Sequence, residues 1–320
     1  MRQRSVILAL SLFIGLPLFL YIIAGLHVET LQTAVFDVSS LHLVMYGLLT
    51  LFNIVVYTWI WTVFLRWQSV SLNLITLFNY RMVGVAISYV TPGPRVGGEV
   101  TQAGLLEPDV PFRKGFLTAS LEKIVLFLAG LVFNTVTVVI ALLVFPGSDA
   151  LRLIVGGLLL VCLVILGVWW WVVAQRRLVA LVKKVVSWAG LGVDERTESS
   201  FKDVEAYLTE NARRFFGLVG VGFATKIIIG FQLYFLTAGL GAQVTVWQAL
   251  FLAAAIDIAY SIPAYMGVGF LEAGQSGAFA LIGSSTTIGV LIALITRMRD
   301  ILFSLYGLFA LGYYTFRRRS

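Results

Sequence analysis

The chain has 320 residues, 59% hydrophobic and 12% charged, with a net charge of +7 and a mean hydropathy of +0.94. Soluble domains average ~45–50% apolar and ~25% charged, so one core could not hide this many apolar residues, and a water-soluble enzyme is excluded. Apolar runs near the ~20 residues that span a bilayer recur, while the strict alternation of a β-barrel is weak. An all-α, polytopic integral membrane protein is expected.

In chain order, Met1–Arg4 precede Ser5–Leu26, which is too long for a typical signal sequence and has no small-residue cleavage site, so a retained first helix is expected. Leu41–Leu65 is the second spanning candidate. Leu74–Pro92 is apolar but breaks at a proline and runs into the Gly-rich, charged stretch Gly93–Leu106. Phe116–Phe145 and Leu151–Ala174 span next, the latter around Cys162, the single cysteine, so disulfides and Cys-ligated metals are not expected. The polar stretch Gln175–Arg214 follows, with Lys183–Trp188 expected along the membrane surface. Phe215–Ala238 spans, Trp247–Pro263 breaks at a second proline ahead of Ala264–Gly283, and Thr286–Tyr313 is the last span.

The basic residues set the topology. Arg2, Arg4, Arg66, Arg113, Lys114, the eight Lys and Arg between Arg176 and Arg214, and Arg317–Arg319 lie in one set of loops. The opposite loops, Leu26–Ser40, Pro146–Ala150, Gly239–Val246 and Gly283–Thr286, hold none. The positive-inside rule puts the first set, with both termini, in the cytoplasm. That pattern survives only if each proline-broken segment returns to the side it entered from. Re-entrant hairpins satisfy this, as do two short complete crossings per segment; the short, small-residue return arms favour the hairpins.

About six spans plus two re-entrant hairpins then fall into halves of like order and opposite orientation, residues 1–145 and 146–320, the second carrying the cytoplasmic loop 175–214. AISYVTPGPRVGGE (86–99) echoes DIAYSIPAYMGVGFLE (257–272), each with a tyrosine three residues before the proline. EKIVLFLAGL (122–131) echoes RDILFSLYGL (299–308). An inverted-topology repeat places a substrate site near the midplane, where broken helices meet.

Charges inside apolar segments are expensive and mark function. The first half holds Arg81, Arg95, Glu99, Glu122 and Lys123; the second holds Lys226, Asp257, Glu272, Arg297, Arg299 and Asp300. Six cations and five anions can also pair off and simply lock the halves together. The breaks argue for more, because a helix start exposes backbone N–H groups that attract anions. Gly93, Gly97 and Gly98 beside Arg95 suit a lipid phosphate, with Arg95 as a fork of donors and Glu99 holding Arg95 or accepting from a headgroup amine or hydroxyl. Gly267, Gly269 and Glu272 repeat the backbone pattern without an arginine, and Arg297 or Arg299 could supply that charge. Glu272 is expected to pair with Arg297, and Arg297 and Asp300, at i,i+3, can also pair. Lys226 either snorkels or partners Asp257.

Other features carry less. Trp169–Trp171 and Trp188 suit an interfacial belt. His27 and His42, the only histidines, sit at outer span ends, and no metal or cofactor is expected. Gly274–Gly277 fits the GxSG box of rhomboid proteases, but no histidine stands near enough in the pattern to act as base. Walker A, HExxH, Asp-rich glycosyltransferase and lipid-phosphatase signatures are absent, so no enzyme is expected.

At SYVTPGPRVGGEVTQAGLL, SLEK, IPAYMGVGFLEA and TRMRD the sequence resembles the flippase-like transmembrane domain family, which includes the membrane region of lysylphosphatidylglycerol synthases and of archaeal dolichol-linked glycosylation proteins. The match carries to Pro92, Arg95, Gly98 and Glu99, to Pro263, Gly267, Gly269 and Glu272, and to Arg297. It departs at Thr91, where the family favours Asn, and at Lys123, where Arg is common. The resemblance implies a plasma-membrane protein that moves or handles anionic or aminoacylated phospholipids, or polyprenyl-phosphate lipids. Lipid lysylation is not expected of these residues, since the aminoacyltransferase domain lies outside the resemblance. The expected function is a lipid translocase of flippase or scramblase type. The alternatives are a secondary transporter of a small anionic solute and a non-catalytic subunit presenting lipid to a separate enzyme. Membrane lipids, not nucleic acids, are the expected partners.

Overall fold

The computed structural model describes residues 38–90, 97–107, 110–144, 149–174, 180, 210–261 and 268–317. Every regular element among them is an α-helix: α1 Ser40–Trp67, α2 Leu74–Val90, α3 Gly97–Leu106, α4 Phe112–Val144, α5 Asp149–Ala174, α6 Ala212–Gly239, α7 Val246–Ser261, α8 Phe270–Leu281 and α9 Thr286–Arg317. Three of them, α1, α4 and α6, are long and apolar enough to cross a membrane by length and composition. The expected spans Leu151–Ala174 and Thr286–Tyr313 also form long helices, α5 and α9. Ser5–Leu26 and most of the loop 175–214 lie outside the described residues.

The helices are built inside out relative to those of a soluble protein. On α1, Leu41, Val44, Leu48, Phe52, Val55 and Trp59 point outward at three- and four-residue spacing, while Thr50, Asn53, Thr58 and Thr62 are buried. Threonine hydroxyls survive there because each donates to a carbonyl one turn back, Thr50 to Tyr46 at 2.7 Å and Thr62 to Thr58 at 2.9 Å. Gln232 on α6 donates across to Thr50 Oγ1 at 3.1 Å, a polar bridge between two apolar helices. Along α9, Met298, Leu302, Leu305, Phe309 and Phe316 form a similar apolar outer face.

Helix ends follow local chemistry. Gly241 and Gly283 adopt φ of 75° and 72°. Behind them Ala242 N–H reaches Thr237 O and Ser284 N–H reaches Phe279 O, both at 2.9 Å, closing α6 and α8 with left-handed caps. Gly269, at φ 80°, opens α8. Glu272 reaches back to accept its N–H at 3.0 Å, which is the half of a capping box that a glycine cap allows.

Packing relates the elements by a simple rule. α2 lies against α3 and α9; α7 lies against α8 and α4. α3 packs on α4, and α8 on α9; α1 packs on α2, and α6 on α7; α1 and α6 meet each other. Small residues permit the closest contacts. A Cβ on Gly307 of α9 would strike the Met82 carbonyl of α2, and one on Gly289 would lie 2.6 Å from the Gln275 carbonyl oxygen of α8.

Candidate functional site

The α2–α3 pair owes its tightness to two glycines. A Cβ on Gly84 would run into the Gln102 side chain, and one on Gly98 into Ser88 Oγ and the Gly84 carbonyl. This approach lets Gly98 N–H donate to Ser88 Oγ at 3.1 Å, so that one of the backbone donors expected to hold a phosphate is already engaged. Glu99, next in the chain, is 8% exposed. One of its oxygens receives Lys123 Nζ of α4, and the other is buried without a hydrogen-bond partner among the described residues. Arg81 of α2 pairs with Glu122 at 3.0 Å and donates to the Tyr57 carbonyl of α1 at 3.0 Å, with its guanidinium 6.0 Å from the Tyr57 ring centre.

These groups enclose a cavity of about 310 Å³. Arg81, Glu99, Glu122, Lys123 and Asp300 supply its charge, Ser88, Tyr89 and Gln102 its neutral polar wall, and Val85 and Leu126 its apolar edge. Lys123 keeps 45% of its side chain exposed, and Val85 is also exposed. The mouth therefore lies beside α2 and α4, with a cation and an apolar rim.

Asp300 brings the second half to this cavity. It accepts Tyr260 Oη of α7 at 2.6 Å and the Arg299 guanidinium at 2.8 Å, and Arg299 in turn stands 5.9 Å from the Tyr46 ring centre. One turn earlier on α9, Arg297 grips Glu272 through two nitrogens, Nε to Oε1 and Nη2 to Oε2, the latter at 2.9 Å. The Glu272 side chain is fully buried. Tyr89 and Tyr260, the tyrosines three residues before each proline, both lie within electrostatic reach of Arg297. The ends of α2 and α7 therefore converge on one charged turn of α9.

A fifth pair stands apart. Lys226 Nζ sits between the Asp257 oxygens, at 2.8 and 2.7 Å. Gly130 of α4 makes the room, since a Cβ there would lie 3.2 Å from Asp257 Oδ2.

Of the eleven intramembrane charges singled out in the sequence, ten thus form five pairs: Arg81–Glu122, Lys123–Glu99, Lys226–Asp257, Arg297–Glu272 and Arg299–Asp300. The eleventh, Arg95, lies outside the described residues, as do Gly93 and Gly267. Gly97, Gly98 and Gly269 stand at helix starts. The expected Glu272–Arg297 pair forms, and of the two alternatives for Lys226 it is the partnership with Asp257 that is found. One expectation changes: Asp300 pairs with Arg299 rather than Arg297, because Glu272 from α8 occupies the Arg297 fork. Glu99 has Lys123 as a partner, and its expected contact with Arg95 lies outside the described residues. Sequence reasoning missed Tyr57, Ser88 and Gln102, which look like ordinary polar or aromatic interruptions of apolar runs. Tyr89 and Tyr260 were visible, but only as markers of the echo. Among the described residues no cluster suits a metal ion.

The Lysylphosphatidylglycerol synthase TM region family model matches residues 6–312. The chain belongs to that family, as the residues quoted for the resemblance imply. No curated protein matches, and no solved structure does.

Proposed function

We propose that this member of the lysylphosphatidylglycerol synthase TM region family translocates phosphate-headed lipids between bilayer leaflets without altering them chemically. The observation that carries this reading is the charged cavity of about 310 Å³ with Lys123 at its mouth. A bilayer-exposed protein gains nothing from a polar hollow unless a polar group must enter it. A volume near 300 Å³ suits a ligand's polar portion. The rim of Val85 and Leu126, with Phe127 exposed beside it, suits acyl chains that stay in the bilayer while the headgroup enters. Lys123 is the first cation that the phosphate meets, with Arg81 deeper and Arg95 two residues before Gly97 in the chain.

On this reading the chain forms an inverted repeat of about six spans and two re-entrant hairpins, α2–α3 and α7–α8. The packing supports it in most contacts: exchanging α1–α4 for α6–α9 turns α2–α3 into α7–α8, α2–α9 into α7–α4, α3–α4 into α8–α9 and α1–α2 into α6–α7, and keeps α1–α6, whereas the contact between α4 and α6 has no comparable counterpart between α9 and α1. On the same reading the chain lies in the plasma membrane, as the family resemblance implies, with both termini and residues 175–214 in the cytoplasm, which the distribution of Lys and Arg supports.

The test is reconstitution of the pure protein into liposomes with a fluorescently headgroup-labelled phospholipid and an impermeant quencher. Wild type should expose inner-leaflet label, Lys123→Arg should retain most of the rate, and Lys123→Gln should lose most of it at equal folded protein by size exclusion. Equal rates for Lys123→Gln and wild type would sink the assigned site. No movement by wild type would favour a lipid-presenting subunit, and saturable uptake of inorganic phosphate instead would favour a solute transporter.

A further inference from the structure

Moving a lipid against its gradient needs a source of energy, and the Lys226–Asp257 pair has the construction of one. Lys226 lies fourteen residues after Ala212 and thirteen before Gly239, the ends of α6, which is mid-span. Its partner Asp257 sits on α7, the first arm of the second hairpin. Three of the other four pairs use arginine, which holds its proton throughout the physiological range. The fourth, Lys123–Glu99, belongs to the cavity. Lys226–Asp257 is therefore the one pair among the described residues that lies outside the cavity wall and joins two groups able to gain or lose a proton. It also keeps some access, with the side chains 13% and 19% exposed, whereas Glu272 is sealed at 0%.

The surroundings leave few competing titratable groups. α4 presents Gly130, and Glu122 and Lys123 stand about two turns earlier on that helix. α1 presents Tyr57, whose hydroxyl lies 3.4 Å from Thr225 Oγ1 and within electrostatic reach of Lys226. α8 meets α7 through Gly274 against Ala255 and Ala259. The charges of α9 reach α7 on another side, through Tyr260 and Asp300. Tyr57 joins the pair to the cavity, because Arg81 donates to its carbonyl and pairs with Glu122.

We infer that Lys226–Asp257 is a proton-coupling site, and that it drives the lipid movement proposed above, on which this inference rests. A proton from the acidic compartment adds to an Asp257 carboxylate oxygen and breaks the ion pair. Lys226 keeps its own proton, so the site passes from neutral to a net charge of +1. An uncompensated interior cation draws an anion, and the lipid phosphate is the anion that the cavity admits, linked to the pair through Arg81 and Tyr57. Loss of the same proton to the opposite compartment restores the carboxylate, re-forms the pair and releases the phosphate. One proton enters and one leaves, with no change of oxidation state.

The experiment uses the full chain in liposomes carrying the labelled lipid and a trapped pH-sensitive dye, with and without an imposed gradient of two pH units. Wild type should shift the label toward one leaflet under the gradient, by up to ~100-fold for one proton per lipid at tenfold per unit, with matching proton flux. Lys226→Gln with Asp257→Asn replaces the ion pair by two neutral amides, and should lose both the gradient response and the proton flux. A retained gradient response in that double variant overturns the inference. So does a wild type that equilibrates lipid indifferently to pH, and this measurement decides the matter if the variant does not fold. A wild type that moves no lipid at all overturns the lipid reading itself.

Discussion

The Glu272–Arg297 pair allows the sharpest calculation. Glu272 is fully buried, grips Arg297 with both oxygens, and also accepts Gly269 N–H at the start of α8. Glu272→Gln removes the charge but leaves an amide oxygen able to keep the cap, so the loss isolates the ion pair. Removing one member of a buried pair costs roughly 3–5 kcal/mol, because the remaining charge stays in low dielectric without compensation. At roughly 2–4 °C per kcal/mol in chains of 150–250 residues, the melting temperature in detergent should fall on the order of 10 °C. Arg297→Gln should fall by a similar amount, since it strands a carboxylate with one backbone donor. The double change leaves two amides that can hydrogen-bond each other and strands nothing. It should therefore cost less than the sum of the single changes, by up to ~3 kcal/mol. Glu272→Leu forfeits the cap as well, for about 1 kcal/mol more. Melting curves of the four variants and wild type check the cycle, and strictly additive shifts would refute the pairing.

Two glycines of α3 should respond in opposite directions. Gly98→Ala drives a Cβ into Ser88 and the Gly84 carbonyl and should destabilise by ~1–3 kcal/mol, whereas Gly104→Ala meets nothing within 4 Å and should stabilise by ~0.5–1 kcal/mol; thermal unfolding of both separates them. Gly307→Ala should splay α9 from α2 at Met82, and a cross-link from Asn79→Cys to Tyr306→Cys, positions whose side chains hydrogen-bond at 2.7 Å in the wild type, should form less completely in that background. Ser200→Cys, after Cys162→Ser, should resist an impermeant thiol reagent applied to intact cells; labelling from outside would overturn the topology and the repeat together.

The long helices were legible because their signal is length and hydropathy. The apolar runs Leu41–Leu65, Phe116–Phe145 and Phe215–Ala238 become Ser40–Trp67, Phe112–Val144 and Ala212–Gly239. The extra turns at Phe112 and Ala212 carry Arg113, Lys114, Arg213 and Arg214, since backbone hydrogen bonding continues after the side chains turn polar. The identity of the charged residues was legible too, because a charge in an apolar run stands out. Which charge meets which was legible in part: Glu272 with Arg297 was expected, and Lys226 with Asp257 as one of two alternatives, but Arg81–Glu122, Lys123–Glu99 and Arg299–Asp300 were not. Spacing along one helix suggested Arg297 with Asp300, but the Glu272 carboxylate offers two bonds to the guanidinium fork and leaves Asp300 to Arg299. Tyr57 was invisible: its backbone carbonyl meets Arg81, and a carbonyl has no letter in the sequence.

The pairing has a consequence for how any anion enters. Each intramembrane charge in the described residues already has an opposite partner, so an incoming phosphate cannot simply be added to a waiting cation. It has to displace a carboxylate, which must then find another donor or take up a proton. At the mouth, Lys123 is the cation exposed enough to be approached, and Glu99 the carboxylate that would be released. Glu99 already has one buried oxygen without a hydrogen-bond donor among the described residues, so its release is costly unless the headgroup supplies a donor. On the proposed function, lipid entry is therefore an exchange of partners whose cost falls on a carboxylate. Glu99→Gln tests this exchange. It removes the Glu99 anion from Lys123, so phosphate should bind more tightly and leave more slowly. Net lipid movement should then slow even as co-purified phospholipid, counted by native mass spectrometry, increases. Faster movement with less retained lipid would show that Glu99 contacts the headgroup directly instead of competing with it.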